Sequence, residues 1–180
     1  MTIDDYIKID STFDEAVFLS KVGNMIIKYY SSITFNKMDT IDHFVSDSIF
    51  NDGKKEIEEC KNKHIIHMYD MLNVKDSRIL SIDEVDDNYI IRVAITLRYL
   101  DYYIDEVSRK KVSGNDRDRI EIPCIIELSK PINSKEQKLL KKCPNCGASL
   151  LINASGKCEY CGSIYNLEDY DYIITKIEKS

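Results

Sequence analysis

The chain has 180 residues, a formal net charge of −6, 43% hydrophobic and 31% charged residues. These values predict a soluble globular protein with one main domain and room for a small appendage. No apolar run approaches the ~20 residues that span a bilayer. There is no basic stripe with interleaved aromatics, so nucleic-acid binding is disfavoured, as is simple electrostatic docking on anionic lipid. The N-terminus, MTIDDYIKIDSTFDE, is polar and acidic and lacks the apolar stretch of a secretory signal, which predicts a cytoplasmic, reducing setting.

Residues 1–12 read as a flexible or loosely docked lead. Ser11 or Thr12 then caps a helix running from about Phe13 to Ser31, with Asp14 and Glu15 favourable in its first turn. Phe18, Val22, Met25 and Tyr29 recur on one face, widened by Leu19 and Ile26. A short second helix starts near Asp39 or Thr40. A third, long helix begins near Asp47, because Phe50, Gly53, Ile57, Cys60, His64, Met68 and Met71 recur at three- and four-residue steps. Gly53 weakens that helix or lets another backbone approach closely.

The period then changes to two. Ile79 to Val85 reads as a strand, and Asp86-Asp87-Asn88 as a turn. Tyr89 to Asp105 is a long strand with Ile91, Val93, Ile95, Leu97 and Tyr99 on its buried face. Ser108 to Asp118 reads as a charged loop tipped by Ser113-Gly114-Asn115. Arg119 to Lys130 is a further strand, in which Pro123 points to an edge position or a bulge. Asp169 to Lys179 alternates again as a last strand. The pattern defines an α+β fold, N-terminal helices packed on an antiparallel sheet.

A cysteine array lies between these last two strands. It reads CPNC at Cys143 and Cys146 and CEYC at Cys158 and Cys161, followed by Gly147 and Gly162. Two CxxC pairs can each hold one edge of a metal ion, and four thiolates complete a tetrahedron with no open coordination position. Glycine after each pair suits a chain that must turn back, often at positive φ. Lys141, Lys142 and Lys157 offset the thiolate charge. The expectation is one structural Zn2+ per chain in a ribbon inserted before the last strand. A pair of disulfides or a redox CxxC fits the context less well. The domain reading is therefore residues 1–12 as lead, 13–132 plus 168–180 as main domain, and 133–167 as linker and zinc ribbon. Cys60 and Cys124 stand apart and read as buried apolar thiols.

Candidate chemistry elsewhere is sparse. His64 and His67 lie three apart on the expected third helix and could grip a metal with a third ligand; the plainer reading is one helix-face histidine and an exposed neighbour. Asp101 and Asp105 share a strand face with Tyr99 and Tyr103, and with His64 these residues outline a pocket; the plainer reading is a strand emerging into water. His43 reads as a helix-end residue. No nucleophile–base pair or phosphate loop is present. Tyr99, Tyr102, Tyr103, Tyr160, Tyr165, Tyr170 and Tyr172 crowd the sheet end and the ribbon, either as a contact surface or as packing between the two.

Helices first, then an alternating sheet, then a ribbon before a final strand: this order resembles the cone-shaped fold of the nuclear transport factor two-like superfamily. Within it, the chain resembles bacterial relatives of the Tim44-like domain, the membrane-facing domain of the mitochondrial import-motor anchor. Phe18 to Tyr30 carries the likeness as the first helix and Met38 to Phe50 as the second turn. Leu100 to Asp116, LDYYIDEVSRKKVSGND, resembles the family's acidic strand end and glycine-tipped hairpin, and CPNCGA…CEYCG its bacterial ribbon. The chain departs from the family at Pro123-Cys124 and at Tyr172, where aromatics, commonly Trp, are usual; it has no Trp.

The resemblance implies a curved, cone-like sheet closing on the helices, and a protein of transport or membrane-associated assembly. The leading expectation is a non-enzymatic binding or scaffold module that holds an apolar ligand or a protein segment in the cone. The alternative is a small-molecule enzyme using Asp101, Asp105 or His64. The partner is an unknown protein or apolar ligand. A homodimer through the open sheet face is a further expectation, since Ile90, Ala94 and Ile125 lie there among polar residues.

Overall fold

The computed structural model describes residues 1–132, 146–147, 160–162 and 172–180. Three helices, α1 (Ile3–Ile9), α2 (Glu15–Phe35) and α3 (Asp47–Asn62), precede four strands, β1 (Ile65–Val85), β2 (Asn88–Asp105), β3 (Lys111–Pro131) and β4 (Ile173–Lys179). The strands form one antiparallel sheet in the order β1-β2-β3-β4. The helices pack on one face of this curved, open sheet.

The first residues are not a loose lead. Thr2 and Asp5 form a reciprocal capping box that starts α1. Tyr6 is then 0% exposed, edge-on to Phe13 and Tyr89. One aromatic surrounded by acids gives no readable period, yet its burial against Tyr89 docks the whole helix.

The N-cap of α2 is Asp14, which accepts from the Val17 amide at 2.8 Å, and the helix ends at Asn36 in the left-handed conformation. Its buried face carries Phe18, Val22, Met25, Ile26, Tyr29 and Ile33. Two short 3-10 turns, Met38–Thr40 and Asp42–Phe44, stand at the expected second helix. Ser46 caps α3. Gly53 admits a side chain, not a backbone: a Cβ there would meet Met38 Cε at 2.5 Å and Sδ at 3.0 Å.

The third helix stops at Asn62, short of the expected end. His64 takes φ 56° and turns the chain directly into β1 at Ile65. The spacing through His64, Met68 and Met71 mimics a helix by coincidence. The strand signal is broken instead by register shifts at Asp70/Asn73, Val74/Asp76 and Ile79/Ser81, with Met71 at φ 50°. Each shift is a bulge-like irregularity that increases twist and curves the strand.

In β2, Ile91, Val93, Ile95, Leu97 and Tyr99 all face the core, as the alternation requires. They meet Cys124, Ile126 and Leu128 of β3 and Ile174 of β4 in one cluster beneath α2. The expected loop at Ser108 to Asp118 is largely strand. The turn lies before Lys111, and Gly114 sits inside β3 opposite Tyr102 at φ 85°. Its charges face water on both sides, so no apolar period marked it.

Pro123 sits where β4 ends, one residue before the Cys124–Lys179 pair. Its carbonyl accepts from the Ser180 amide at 2.9 Å, so it lies at the very end of the β3–β4 ladder. β4 is the last strand expected at the C-terminal end; it, and not the Pro123 strand, stands at the edge of the sheet, with its far side bridged by Val45. The cysteine array thus lies in the β3–β4 connection.

Candidate functional site

Four elements, α2, α3, β1 and β2, converge at the end of the sheet where α3 turns into β1. Thr34, near the end of α2, fastens this corner: its hydroxyl donates to the His67 carbonyl at 2.9 Å and accepts from the Tyr69 amide at 3.0 Å. The β1–β2 register sets His67 opposite Tyr103 and Tyr69 opposite Asp101. α3 runs across this pair and lowers Glu56 onto it.

His67 is the centre of the arrangement and is 9% exposed. Its Nδ1 lies 2.6 Å from a Glu56 oxygen and its Nε2 lies 2.6 Å from an Asp101 oxygen. The imidazole is stacked on Tyr103 at 4.3 Å and lies against Tyr69 at 4.0 Å between ring centroids. Tyr69 also donates to the same Glu56 oxygen at 2.7 Å. With a carboxylate oxygen at each ring nitrogen, both polar atoms of the imidazole are engaged within the protein.

Burial works against the ionised form of Glu56. The hydrogen bonds from His67 and Tyr69, aided by the His67 and Lys179 charges, outweigh it and hold the carboxyl below its ordinary range. Burial, with Glu56 beside it, drives the Tyr69 hydroxyl far upward. Tyr99 is pushed up to about 12 by burial and by Asp101. Lys179 of β4 reaches in from the other side. Its ammonium lies 4.5, 5.3 and 5.7 Å from the ring centres of Tyr30, Tyr69 and Tyr99. Burial lowers its pKa, against the pull of Cys124, Glu56 and Asp101.

Two pockets open beside this cluster. One, of ≈ 550 Å³, is walled by Glu56, Glu59, Cys60, His67, Tyr69 and Tyr103. The other, of ≈ 280 Å³, lies between the ends of α2 and α3 and the start of β1 and β2, with Ile33, Phe35, Ile57 and Ile65 in its walls. His67 and Cys60 border both. The Cys60 thiol is raised by burial, as a structural thiol is.

Of the residues singled out in the sequence, Tyr99, Asp101 and Tyr103 are brought together here. His64 and Asp105 are not in the cluster. His64 is exposed in the turn and meets Glu106 at 2.9 Å, so the two histidines share no helix face and form no common metal site. Asp105 closes the β2–β3 turn by accepting from the Val107 and Ser108 amides, which hold its carboxyl low. Glu56, Thr34 and Lys179 had no role in the sequence reading, and His67 was grouped there only with His64, because the four residues come from four separate elements. The signal available was a histidine two residues from a tyrosine at a strand start.

Of the array, Cys146 and Cys161 are among the described residues, and Cys143 and Cys158 lie outside them. Both described cysteines are exposed in turns and are followed by left-handed glycines, Gly147 at φ 73° and Gly162 at φ 74°. Among the described residues no three His, Cys, Asp or Glu side chains form a metal-holding group. Tyr172 packs on Phe18 in the core, while Tyr160 is exposed; Tyr165 and Tyr170 lie outside the described residues. His43 stacks edge-on to Phe44.

On the outer sheet face Ile90, Ala94 and Ile125 are half-buried, and Arg92 is paired with Asp83 at 3.0 Å and Glu127 at 3.1 Å. No described helix is long and apolar enough to cross a membrane.

Helices packed on one face of a curved, open antiparallel sheet define an α+β protein. The Tim44-like domain model matches residues 1–139, and the chain belongs to that family. The match ends before the cysteine array and β4. No curated relative matches the chain.

Proposed function

We propose that this protein is a non-enzymatic binding domain. Its occupant, an apolar ligand or a protein segment, sits at the open end of the sheet beside His67. The setting is a transport- or membrane-associated assembly, and the parent architecture is the nuclear transport factor two-like cone. Family membership supports the class of activity. The observation that carries the reading is the closed state of the acid–histidine cluster. Both ring nitrogens and the Tyr69 hydroxyl are taken up inside the protein, so the site offers shaped walls and fixed charges instead of a proton-transfer group facing a substrate.

The ribbon reading goes with it. One structural zinc per chain, held by Cys143, Cys146, Cys158 and Cys161, stiffens the β3–β4 connection and presents a contact surface. The paired left-handed glycines after Cys146 and Cys161 support this reading. The half-exposed Ile90, Ala94 and Ile125 support a homodimer across the outer face.

A second reading, a small-molecule enzyme, draws on the same cluster. An inward-facing carboxylate–histidine pair, Asp101 with His67, is what an acid–base catalyst needs.

A photo-crosslinking residue at Phe35, on the pocket wall, tests the proposal against the same residue at Leu80 on the exposed part of β1. Discrete adducts from position 35 alone are expected. Equal labelling from both positions, or turnover of a small molecule that His67→Gln abolishes, would overturn it.

A further inference from the structure

The smaller pocket carries a chemistry that the proposed binding role does not by itself specify. Its walls are apolar, and Phe35 remains 64% exposed at its edge. Its rim holds Lys61 and Arg109. Among the described residues neither side chain makes an ion pair or hydrogen bond. Arg109 is set by a tight turn, with its backbone at φ 63° and its amide donating to Asp105. Among the described lining residues the one carboxylate, Glu106, is already met by His64. The pocket therefore joins an apolar wall to an excess of cationic donors, one of them a guanidinium fork suited to a carboxylate. A volume of ≈ 280 Å³ is at the small end of ligand sites, room for one or two apolar side chains.

We infer that this pocket recognises the carboxylate-terminated apolar end of a partner polypeptide, with an apolar side chain against Phe35 and Ile57 and the terminal carboxylate on Arg109 and Lys61. The inference rests on the binding role proposed above and names its partner's chemistry. Charge complementarity selects the acid, and the pocket's size selects a chain end over a bulky helix.

Fluorescence anisotropy tests it with a labelled hexapeptide ending in Leu-Phe, as the free acid and as the C-terminal amide. The free acid is expected to bind about tenfold or more tightly than the amide, the size of a charge-assisted contact. Arg109→Gln is expected to weaken the acid and leave the amide unchanged. Phe35→Ala is expected to weaken both, and both positions are exposed enough to leave the fold intact. Equal binding of acid and amide overturns the carboxylate assignment while leaving this end of the sheet as a binding site. Binding of neither peptide, or displacement of neither by excess free peptide while dodecanoate binds, overturns the inference. Crosslinking at Phe35 then decides the broader binding role separately.

Discussion

His67 and Asp101 meet diagonally across the first two strands at 2.6 Å, and the same imidazole meets Glu56 from α3 at the same distance. One ring therefore ties a helix to two strands at the open end of the sheet. Replacing it with an apolar residue leaves Glu56 without its principal donor in a partly buried place. Because Glu56 and Asp101 keep 30% and 38% of their side-chain exposure, the cost falls below that of a fully buried pair. His67→Leu is expected to lower unfolding stability by about 2–3 kcal/mol in urea titrations.

The same cluster sets a pH dependence. The folded pKa of Glu56 lies below its ordinary value of 4.5, so the unfolded chain binds the more protons below that pH. The stabilisation is full above the ordinary value and is lost as pH falls through the folded one. Urea midpoints measured between neutral and acid pH should fall more shallowly in Glu56→Gln than in the parent.

Gly114 guards the placement of Asp101. A Cβ there would come within 2.5 Å of the Asp101 carbonyl and of Tyr102 Cα, and its φ of 85° is strained for other residues. Both obstacles are backbone, so they cannot swing aside. Gly114→Ala is expected to cost about 1–3 kcal/mol. It should also perturb the His67 ring signals in NMR, since the β2–β3 register shift lies beside Asp101.

Lys179 brings the last strand into the tyrosine cluster. Lys179→Met keeps the stem and removes the charge, and is expected to cost about 0.5–1 kcal/mol through the lost contact with the rings. The loss should be smaller in a Tyr30→Leu background, which removes the nearest ring, at 4.5 Å.

The proposed ribbon predicts that Cys146→Ser or Cys161→Ser releases zinc on a colorimetric assay and opens the β3–β4 connection to protease. Retention of one zinc per chain and unchanged cleavage would remove the ribbon reading.

Strict alternation made β2 readable, because every second residue from Ile91 to Tyr99 is buried. The last strand was readable for the same reason, and glycine after each CxxC pair anticipated the positive φ found at Gly147 and Gly162. The start of β1 was not readable. Met71 at positive φ and three register shifts remove the two-residue period, and chance spacing extends the helical one. α1 was missed because its one core residue, Tyr6, has its aromatic partners in Phe13 and Tyr89, outside its own segment. The cluster was half legible. Asp101 and Tyr103 share an inward face that the strand period exposes, while Glu56 reaches them only because α3 turns back over β1 through His64. His64, the more conspicuous histidine beside a charged run, serves the turn, and His67 serves the site.

Native mass spectrometry of gently purified protein tests the central claim most directly, since it reads metal and retained ligand together. The account predicts one zinc per chain and an added mass that Phe35→Asp removes. A bare polypeptide mass, with neither zinc nor any retained partner, would contradict it.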